Sequence, residues 1–418
     1  MSCFLSVQFN IKNLLVFFIC DRKMKYLIIL TFTLSLAMAN EVALQEFTTG
    51  NNLFTAAVYK EVLKENEGNF LISPFSIQTV LALTQSGAKD ETALEIRNSL
   101  HLPNTTKSTE AIYSIILPKF KGNEQYALHT ANKIYVKNSY PLKEEFKTIA
   151  ANVYQAAIES IDFAQKDESA NTINSWVEKQ TENKIHGLID PKNLDEETRV
   201  ILINALYFKG KWTTPFETFA TSKKDFYKTA KEVVQVDTMH NTDLYNYYES
   251  AELNAKFLEL PYQGNDVSMV IVLPNEKEGL SSLENEIEKV FTAPRFTHER
   301  VSVSLPKFAV ENKVQLKTLL ENLGIKTAFS ENADLSGLAG KKGELVISDV
   351  IQKAFINVTE TGTEAAAATA VIGVDRIGIV LPPRILYEFY ADHPFLFYIK
   401  VKENIILFSG RINFSSLK

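Results

Sequence analysis

The most informative segment of the sequence is Glu360-Thr-Gly-Thr-Glu-Ala-Ala-Ala-Ala-Thr-Ala-Val-Ile-Gly-Val-Asp-Arg-Ile377, which joins two strand-like segments. It is too long for an ordinary connection, and its alanines supply no turn chemistry. If the segment becomes a strand, its side chains alternate between two faces. Glu364 then lies on one face, and the other face carries the small residues Thr363, Ala365, Ala367, Thr369 and Val371. That face can be buried at little steric cost, so the pattern predicts a strand that packs in a narrow site. A low-complexity linker is the alternative interpretation.

The composition indicates one folded domain. The chain has 418 residues, of which 45% are hydrophobic and 22% charged, as is typical of a globular protein. No linker-like composition, repeat or block of like charge interrupts residues 40–418, so we expect a single domain there. The net charge of -6 argues against nucleic-acid binding, which requires a basic surface.

The N-terminus has the pattern of a secretory signal peptide. Met24-Lys25 provides a positively charged start, residues 26–36 form an apolar core, and residues 37–39 provide an Ala-Met-Ala cleavage site. The apolar run is too short to span a membrane stably. We therefore predict that residues 1–39 are removed and that the mature protein is secreted and extracellular, with no membrane partner.

A second apolar patch, residues 14–20, leaves the start of translation open. Either Met24 is the working start and residues 1–23 are an upstream extension, or a longer signal begins at Met1. Both cysteines, Cys3 and Cys20, precede the cleavage site in either case. The mature chain then has no disulfide, and a core of this size can be stable without one.

Hydrophobic periodicity predicts helices early in the chain and strands after residue 200. Helical spacing of apolar residues begins with Leu53, Phe54, Ala57, Val58 and Val62. The other predicted helices are 76–87, 90–100, 109–117, 143–152 and 167–184. The predicted strands are 132–136, 156–161 and 301–305, together with the fully apolar runs 269–273, 395–399 and 405–408, which we expect to be buried on both faces. Helices followed by strands, without steady βαβ alternation, indicate an α+β fold.

The sequence shows no pattern of a catalytic or metal site. It lacks the G-x-S-x-G elbow, H-E-x-x-H, the phosphate-binding loop and G-x-G-x-x-G. His298-Glu299 has no second histidine at zinc-binding spacing, and a mature chain without cysteine excludes thiol chemistry. We therefore expect that the protein is not an enzyme and holds no cofactor or metal. Lys107, Lys119 and Lys121 form a thin basic cluster, which is either a weak polyanion site or a solvated surface.

Five motifs in a fixed order carry a resemblance to a known family. They are Asn69-Phe-Leu-Ile-Ser-Pro-Phe-Ser-Ile77, Leu202-Ile-Asn-Ala-Leu-Tyr-Phe-Lys-Gly-Lys-Trp212 with Thr-Thr-Pro-Phe216, Glu360-Thr-Gly-Thr-Glu-Ala-Ala-Ala-Ala-Thr369, Asp392-His-Pro-Phe-Leu-Phe397 and Leu407-Phe-Ser-Gly-Arg411. With them the mature chain resembles the serpins, and most of all the secreted inhibitory serpins of insects.

The resemblance implies an α+β serpin fold with three β-sheets, about nine helices and an exposed reactive-centre loop. It also implies a suicide inhibitor, in which a serine protease cleaves the loop and the loop inserts as a strand into the main sheet. The protease remains in a covalent complex, and the inhibitor is expected to be a monomer. The residues implied as the hinge of the loop are Glu360, Gly362, Thr363, Glu364, Ala365, Ala366, Ala367, Ala368 and Thr369.

The family places the cleaved bond fourteen residues after the hinge glycine, which gives Arg376 and a cut before Ile377. An arginine there suits a protease with an acidic primary pocket, because a guanidinium–carboxylate pair is strong and directional. The implied partner is therefore a trypsin-like serine protease. Cleavage at Val374, Ile377 or Arg384 is the alternative.

The resemblance also assigns Ser73, Ser76 and Asn204 to a polar cluster, the shutter, beneath the strands that open. Gln352 stands where many members have a histidine, and a glutamine can donate and accept hydrogen bonds at once but does not titrate. Trp212 matches the aromatic residue at the point where the loop enters the sheet.

Three glycosylation sequons occur in the mature chain. Asn104 lies in a polar, loop-like run and is the predicted site. The sequons at Asn357 and Asn413 lie in predicted strands, so we expect these two asparagines to be unmodified.

Two functions follow from the resemblance. The first is inhibition of a trypsin-like protease, and the second is that of a non-inhibitory serpin acting as a secreted carrier or storage protein. Non-inhibitory members often carry bulky or charged residues in the hinge. The small residues that alternate from Thr363 to Val371 therefore favour inhibition.

Overall fold

The computed structural model describes residues 22–120, 126–292, 294–363 and 385–414, and the side chains of residues 22–40 and 130 lie outside that description. Within these ranges there are nine α-helices and fifteen β-strands. The helices are α1 (Arg22–Glu65), α2 (Pro74–Gly87), α3 (Asp90–Ser99), α4 (Thr106–Ile116), α5 (Glu144–Asn152), α6 (Lys166–Gln180), α7 (Leu280–Asn285), α8 (Ile287–Val290) and α9 (Lys317–Asn322). The strands are β1 (Phe70–Ile72), β2 (Tyr126–Lys137), β3 (Ala157–Ile161), β4 (Val200–Lys211), β5 (Ser222–Tyr227), β6 (Val233–Ser250), β7 (Ala255–Pro261), β8 (Val267–Pro274), β9 (Thr297–Pro306), β10 (Phe308–Gln315), β11 (Ile347–Thr359), β12 (Gly362–Thr363), β13 (Leu386–Tyr390), β14 (Phe395–Val401) and β15 (Ile406–Ile412).

The smaller of the two sheets in the described part has six strands. Their order is β10-β11-β12-β4-β2-β3, and β11 also pairs directly with β4. β4 is parallel to β11 and β2 is parallel to β3, whereas the other pairs are antiparallel. Residues 200–208 of β4 are buried without interruption, as expected for a central strand that is covered on both faces.

The larger sheet has nine strands. Eight follow the order β1-β15-β14-β8-β7-β6-β9-β13, and β5 pairs with β6. β6 is 18 residues long, so its residues 233–247 pair with β5 and β9 while residues 246–250 pair with β7. This one strand joins two groups of strands. The resemblance implies three sheets, but the described residues form two hydrogen-bonded sheets, because β6 joins two groups of strands into one.

α6 packs against one face of the six-stranded sheet. Its Ile173 and Val177 are buried in a cluster with Tyr135 of β2, Ile203 of β4 and Ile351 of β11. Residues four apart lie on the same side of a helix, so this pair forms the apolar face that the sequence pattern predicts. The helix thus covers the strands between which β12 lies.

The α+β prediction is confirmed, and each predicted helix and strand is present. α1 begins at Arg22, far before Leu53, and β2 begins at Tyr126, six residues before the predicted start, whereas the other ends shift by four residues or fewer. The helix predicted over 167–184 ends at Gln180, because Glu182 and Asn183 adopt positive φ angles of 49° and 58°. Leu53 was expected on the buried face of the first helix but is 42% exposed. Phe54, Val58 and Val62 follow one another at intervals of four residues and form the buried side of α1. Leu53 precedes Phe54 by one residue, so its side chain points about 100° away from that side around the helix axis.

The three fully apolar runs lie in neighbouring strands of the larger sheet, β8, β14 and β15. Residues 269–273, 395–399 and 405–408 are all buried, as the sequence predicts. The interior of this sheet therefore accounts for the most apolar segments of the chain.

The chain divides into a unit that ends at Glu46 and a compact unit from Phe47 onward. Residues 26–36, the apolar core of the predicted signal peptide, lie in α1. Among the helices of the described residues, none combines the length and the apolar character needed to cross a bilayer.

Candidate loop-insertion site

The site is the boundary between β4 and β11, which we call the seam. Along most of its length these strands pair directly and in parallel, from Val200 and Ile347 to Tyr207 and Phe355. Paired strands lie about 4.8 Å apart, so no further strand fits between them there. The seam is closed over this stretch.

At its end the seam is open and holds β12. Thr363 pairs with Gly210 of β4 on one side and with Val358 of β11 on the other, and Gly362 also pairs with both strands. β12 is antiparallel to both neighbours, because the chain reverses in the short turn after β11. The beginning of the hinge is therefore already a strand of this sheet.

Gly362 is required by the close approach of β4. Its φ is +149°, and a Cβ atom at this position would lie 2.1 Å from the carbonyl oxygen of Gly210 and 2.7 Å from Cα of Lys211. Both contacts are with backbone atoms, which cannot move aside cheaply. Only glycine allows the chain to enter the seam at this point.

Thr363 lies in the interior of the protein. Its exposed fraction is 0%, and its Oγ1 lies 2.7 Å from Oη of Tyr262. Burial raises the pKa of Tyr262 well above its ordinary value, although the hydrogen bond to Thr363 opposes this. The phenol is therefore protonated at physiological pH and can donate the bond.

Trp212 lies beneath the turn between β11 and β12. Its ring stacks on that of Tyr262, with centroids 4.4 Å apart and planes inclined by 18°. Its Nε1 donates to the carbonyl oxygen of Thr359 at 3.0 Å, and its backbone N donates to that of Thr361 at 3.1 Å. This tryptophan therefore fixes the position of the turn that introduces the hinge.

Glu360 fastens the same turn to neighbouring segments. Its Oε2 lies 3.0 Å from Nζ of Lys307, its Oε1 accepts a hydrogen bond of 2.9 Å from Oγ1 of Thr221, and its carbonyl oxygen accepts one of 2.9 Å from N of Phe216. Burial alone would raise the pKa of Glu360. Hydrogen bonds from its own backbone, Lys307 and Thr221, together with the lysine charge, outweigh burial and lower that pKa below its ordinary value.

Three of the residues implied as the shutter meet where β11, β4 and the start of α2 converge. Gln352 Oε1 accepts from the backbone N of Ser73 at 2.8 Å, and its Nε2 donates to the carbonyl oxygen of Ser73 at 3.0 Å and to Oδ1 of Asn204. Ser73 Oγ donates in turn to the carbonyl oxygen of Leu407 at 2.6 Å. Nε2 of the glutamine donates two hydrogen bonds here, whereas a neutral histidine has a single N–H to donate.

The fourth residue, Ser76, joins the network directly, because its Oγ accepts a hydrogen bond from Nδ2 of Asn204. A further member of the network, Asn132, was not found from the sequence. Asn132 Oδ1 accepts from Oγ of Ser76 at 3.0 Å and from Nδ2 of Asn204 at 2.6 Å. Asn132 lies on β2, opposite Asn204 in the register of β2 and β4. The polar network thus spans β2, β4 and β11 and closes the seam from beneath.

The remaining residues implied for the loop lie outside the described residues. They are Glu364, Ala365, Ala366, Ala367, Ala368, Thr369, Val374, Arg376, Ile377 and Arg384. Tyr262, Lys307 and Thr221, which hold the described part of the hinge, were not found from the sequence. The sequence near Tyr262 shows only a Gly264-Asn265 turn, and a turn motif does not indicate which distant residue the tyrosine contacts.

Of the three sequons, Asn104 is the exposed one, just before α4. Asn357 lies in β11, as predicted, and pairs with Ala309 of β10. Asn413 was expected in a strand but follows the end of β15, and its Nδ2 donates to the carbonyl oxygen of Glu67 at 2.7 Å.

The basic cluster is partly neutralised. Nζ of Lys119 lies 3.0 Å from Oε1 of Glu403, and Lys121 lies outside the described residues. Among the described side chains, no group of three or more His, Cys, Asp or Glu residues is arranged to hold a metal ion.

The geometry agrees with comparisons against known proteins. The sequence profile of the family described as Serpin (serine protease inhibitor) matches residues 49–414. The chain belongs to the serpin family. Alaserpin of Manduca sexta is 36% identical over 386 residues, which cover 90% of this chain and 96% of alaserpin.

Two solved serpin structures show how broad this family is. Serpin48, a highly specific serpin of the insect Tenebrio molitor, is 51% identical, with a TM-score of 0.83 over 90% of this chain and 99% of that one. Human thyroxine-binding globulin, solved with its hormone, is 25% identical, with a TM-score of 0.80 over 90% of this chain and 100% of that one. The serpin fold therefore does not by itself distinguish an inhibitor from a carrier.

The arrangement in this serpin can accept a longer strand. β12 is paired on both edges, and the same pairing can extend along the seam if β4 and β11 separate by about one strand spacing of 4.8 Å. Separation would break the direct pairs between Val200–Tyr207 and Ile347–Phe355, and a strand between them would form two new pairs for each pair that is lost.

Proposed function

We propose that this serpin inhibits a trypsin-like serine protease by cleavage and insertion of its reactive-centre loop. The observation that supports this most directly is Thr363, which is buried between β4 and β11 before the small residues of the hinge begin. A strand that continues from Thr363 places Ala365, Ala367 and Thr369 on the same side. None of these side chains obstructs further insertion.

The chemical step occurs at the bond between Arg376 and Ile377. The protease serine Oγ attacks the carbonyl carbon of Arg376, an ester bond forms, and the peptide bond to Ile377 breaks. The serine proton passes through the protease histidine to the amine of Ile377. The hinge then extends along the seam and carries the acylated protease with it. Deformation of the protease stalls the hydrolysis of the ester.

The same proposal includes secretion of a mature chain from about Asn40 as a monomer, with Asn104 glycosylated. Asn104 is exposed, and the neighbouring Thr105 caps α4 by accepting a hydrogen bond of 3.1 Å from N of Ser108. N-terminal sequencing of the secreted protein tests the cleavage site, and the mass of the peptide that contains Asn104, measured with and without glycosidase treatment, tests the glycosylation.

A secreted carrier or storage protein is the second candidate. It is favoured by the likeness to thyroxine-binding globulin, which was solved in complex with its hormone. A carrier has no need of a small hinge, so the buried Thr363 and the alanine run weigh against it. A carrier would be cut in its loop without retaining the protease.

The deciding experiment mixes the purified protein with a panel of trypsin-like and chymotrypsin-like serine proteases. A band that survives SDS and has the summed mass of both partners, formed only with trypsin-like members, is expected. Complete cleavage without such a band for every protease would contradict inhibition and support the carrier.

A further inference from the structure

We propose that the hydroxyl of Tyr262 holds the hinge in the seam before any protease binds, and so sets how the uncleaved loop partitions between exposed and inserted states. This inference rests on the proposed function and deepens it. Tyr262 is then a positioning residue that acts through Thr363, which lies thirteen residues before Arg376 in the sequence.

The contact between the two residues is specific. Oη of Tyr262 and Oγ1 of Thr363 are 2.7 Å apart, and both residues have an exposed fraction of 0%. In the part of the chain that the structure describes, neither hydroxyl has another hydrogen-bonding partner. Each hydroxyl therefore depends on the other, because a buried polar group without a partner is costly.

Tyr262 cannot follow the hinge if the hinge leaves. Its ring is stacked on Trp212 and packs edge-on against Phe208, with centroids 4.4 and 4.8 Å away. Its backbone N donates to the carbonyl oxygen of Val267 at 3.0 Å. A Cβ atom on Gly210 would lie 2.8 Å from Cδ1 of Tyr262, so the absence of a side chain there lets the ring lie against β4.

The hydrogen bond has two opposite effects on inhibition. Each residue held in the sheet shortens the exposed loop by about 3.3 Å, so two residues withdraw about 7 Å from the segment that a protease must reach. After cleavage, however, the inserted residues are the start of the new strand, and insertion does not have to begin anew. The bond therefore slows the first encounter and favours trapping once the loop is cut.

The test is a double-mutant cycle with Tyr262→Phe and Thr363→Val. Each single variant leaves one buried hydroxyl without a partner as long as the hinge is in the seam. Replacing both partners by apolar groups of the same shape removes that cost. Tyr154→Phe is the matched control, because Tyr154 is also buried and its Oη lies 3.2 Å from a small hydroxyl, Oγ of Ser86, in another part of the fold.

One measurement is made on the uncleaved proteins, and the other on their reaction with an active protease that the unmodified protein inhibits. Hydrogen exchange of a peptide that covers residues 359–363 reports on the hinge directly. The stoichiometry of inhibition reports how often the loop is cut without trapping. Each single variant should exchange on the order of tenfold faster in this peptide and show a stoichiometry raised several-fold. In the double variant both the exchange rate and the stoichiometry should return towards the values of the unmodified protein. The Tyr154→Phe variant should have the same values as the unmodified protein in both measurements.

Single variants that exchange and inhibit like the unmodified protein would overturn the inference, as would a double variant that is as defective as the singles. The second outcome would mean that Tyr262 acts only by packing. Failure of the proposed function is distinguishable, because the unmodified protein would then form no SDS-resistant complex. The exchange cycle needs no protease and still decides whether the hydroxyl holds the hinge.

Discussion

Nζ of Lys307 lies 3.0 Å from Oε2 of Glu360, and this ion pair ties the first hinge residue to the junction of β9 and β10. The carboxylate is 11% exposed and the lysine side chain 37%. Thr221 donates to the other carboxylate oxygen, so Glu360 connects three segments that are far apart in sequence. The turn into the seam is thus held on one side by this carboxylate and on the other by Trp212.

The first prediction concerns the pH dependence of this anchor. The folded-state pKa of Glu360 lies below its ordinary value, so the stability that it contributes is present above about pH 4.3 and is lost as the pH falls through the folded pKa. Glu360→Gln should therefore lower the free energy of unfolding at pH 7, by about 1 kcal/mol because the lysine is partly exposed to solvent. Thermal unfolding of both proteins at several pH values measures the difference.

That difference should shrink as the pH is lowered from about 5 towards 3, since the unmodified carboxylate then becomes neutral as well. Glu311→Gln is a useful control, because Glu311 pairs with Lys353 on β10 and β11, away from the turn. If the difference in the free energy of unfolding between Glu360→Gln and the unmodified protein stays constant over this pH range, the Glu360 carboxylate does not stabilise the turn.

The sequence predicted the fold more completely than it predicted the contacts of the site. Alternation along residues 363–371 follows from local geometry, and it places Thr363 on the face that is buried. Tyr262 is 101 residues away from Thr363, and Lys307 is also remote from Glu360 in sequence. Nothing in either local pattern indicates such a partner. Asn132 was missed for the same reason, because its neighbour Asn204 becomes a neighbour only through the register of β2 and β4.

A second prediction concerns the cleaved bond. A complex with a trypsin-like protease should release a fragment that begins at Ile377 and ends at Lys418, and mass spectrometry identifies it. Arg376→Ala should abolish reaction with trypsin-like proteases and leave the melting temperature unchanged, because substitutions in an exposed loop contribute little to stability. A new N-terminus elsewhere, for example after Val374 or Arg384, would show that the bond was assigned wrongly.

A third prediction concerns the energy stored in the uncleaved protein. An inhibitor that traps by insertion must hold a lower-energy state in reserve behind a kinetic barrier. A cut within the loop removes that barrier, and the hinge then extends between β4 and β11. The nicked protein should therefore melt at a markedly higher temperature than the intact one. Equal melting temperatures in parallel thermal scans would mean that the loop does not insert.

The last prediction is that Thr363→Arg converts the inhibitor into a substrate. Thr363 is fully buried beside Tyr262, and an arginine there would place an unpaired guanidinium in the sheet at a cost of several kcal/mol. The hinge would stay out of the seam, and insertion after cleavage would have to overcome that cost. Each ~1.4 kcal/mol added to the insertion barrier slows insertion about tenfold, whereas hydrolysis of the acyl-enzyme is unaffected.

Hydrolysis should therefore win, and the variant should be cut after Arg376 but form little SDS-resistant complex. Glu364→Arg is the matched control, because strand alternation directs residue 364 to the opposite face, where a guanidinium remains in water. It should inhibit nearly as well as the unmodified protein. The stoichiometry of inhibition compares the two variants. A normal stoichiometry for Thr363→Arg would show that trapping does not depend on burial of this residue, and loop insertion would then be the wrong mechanism.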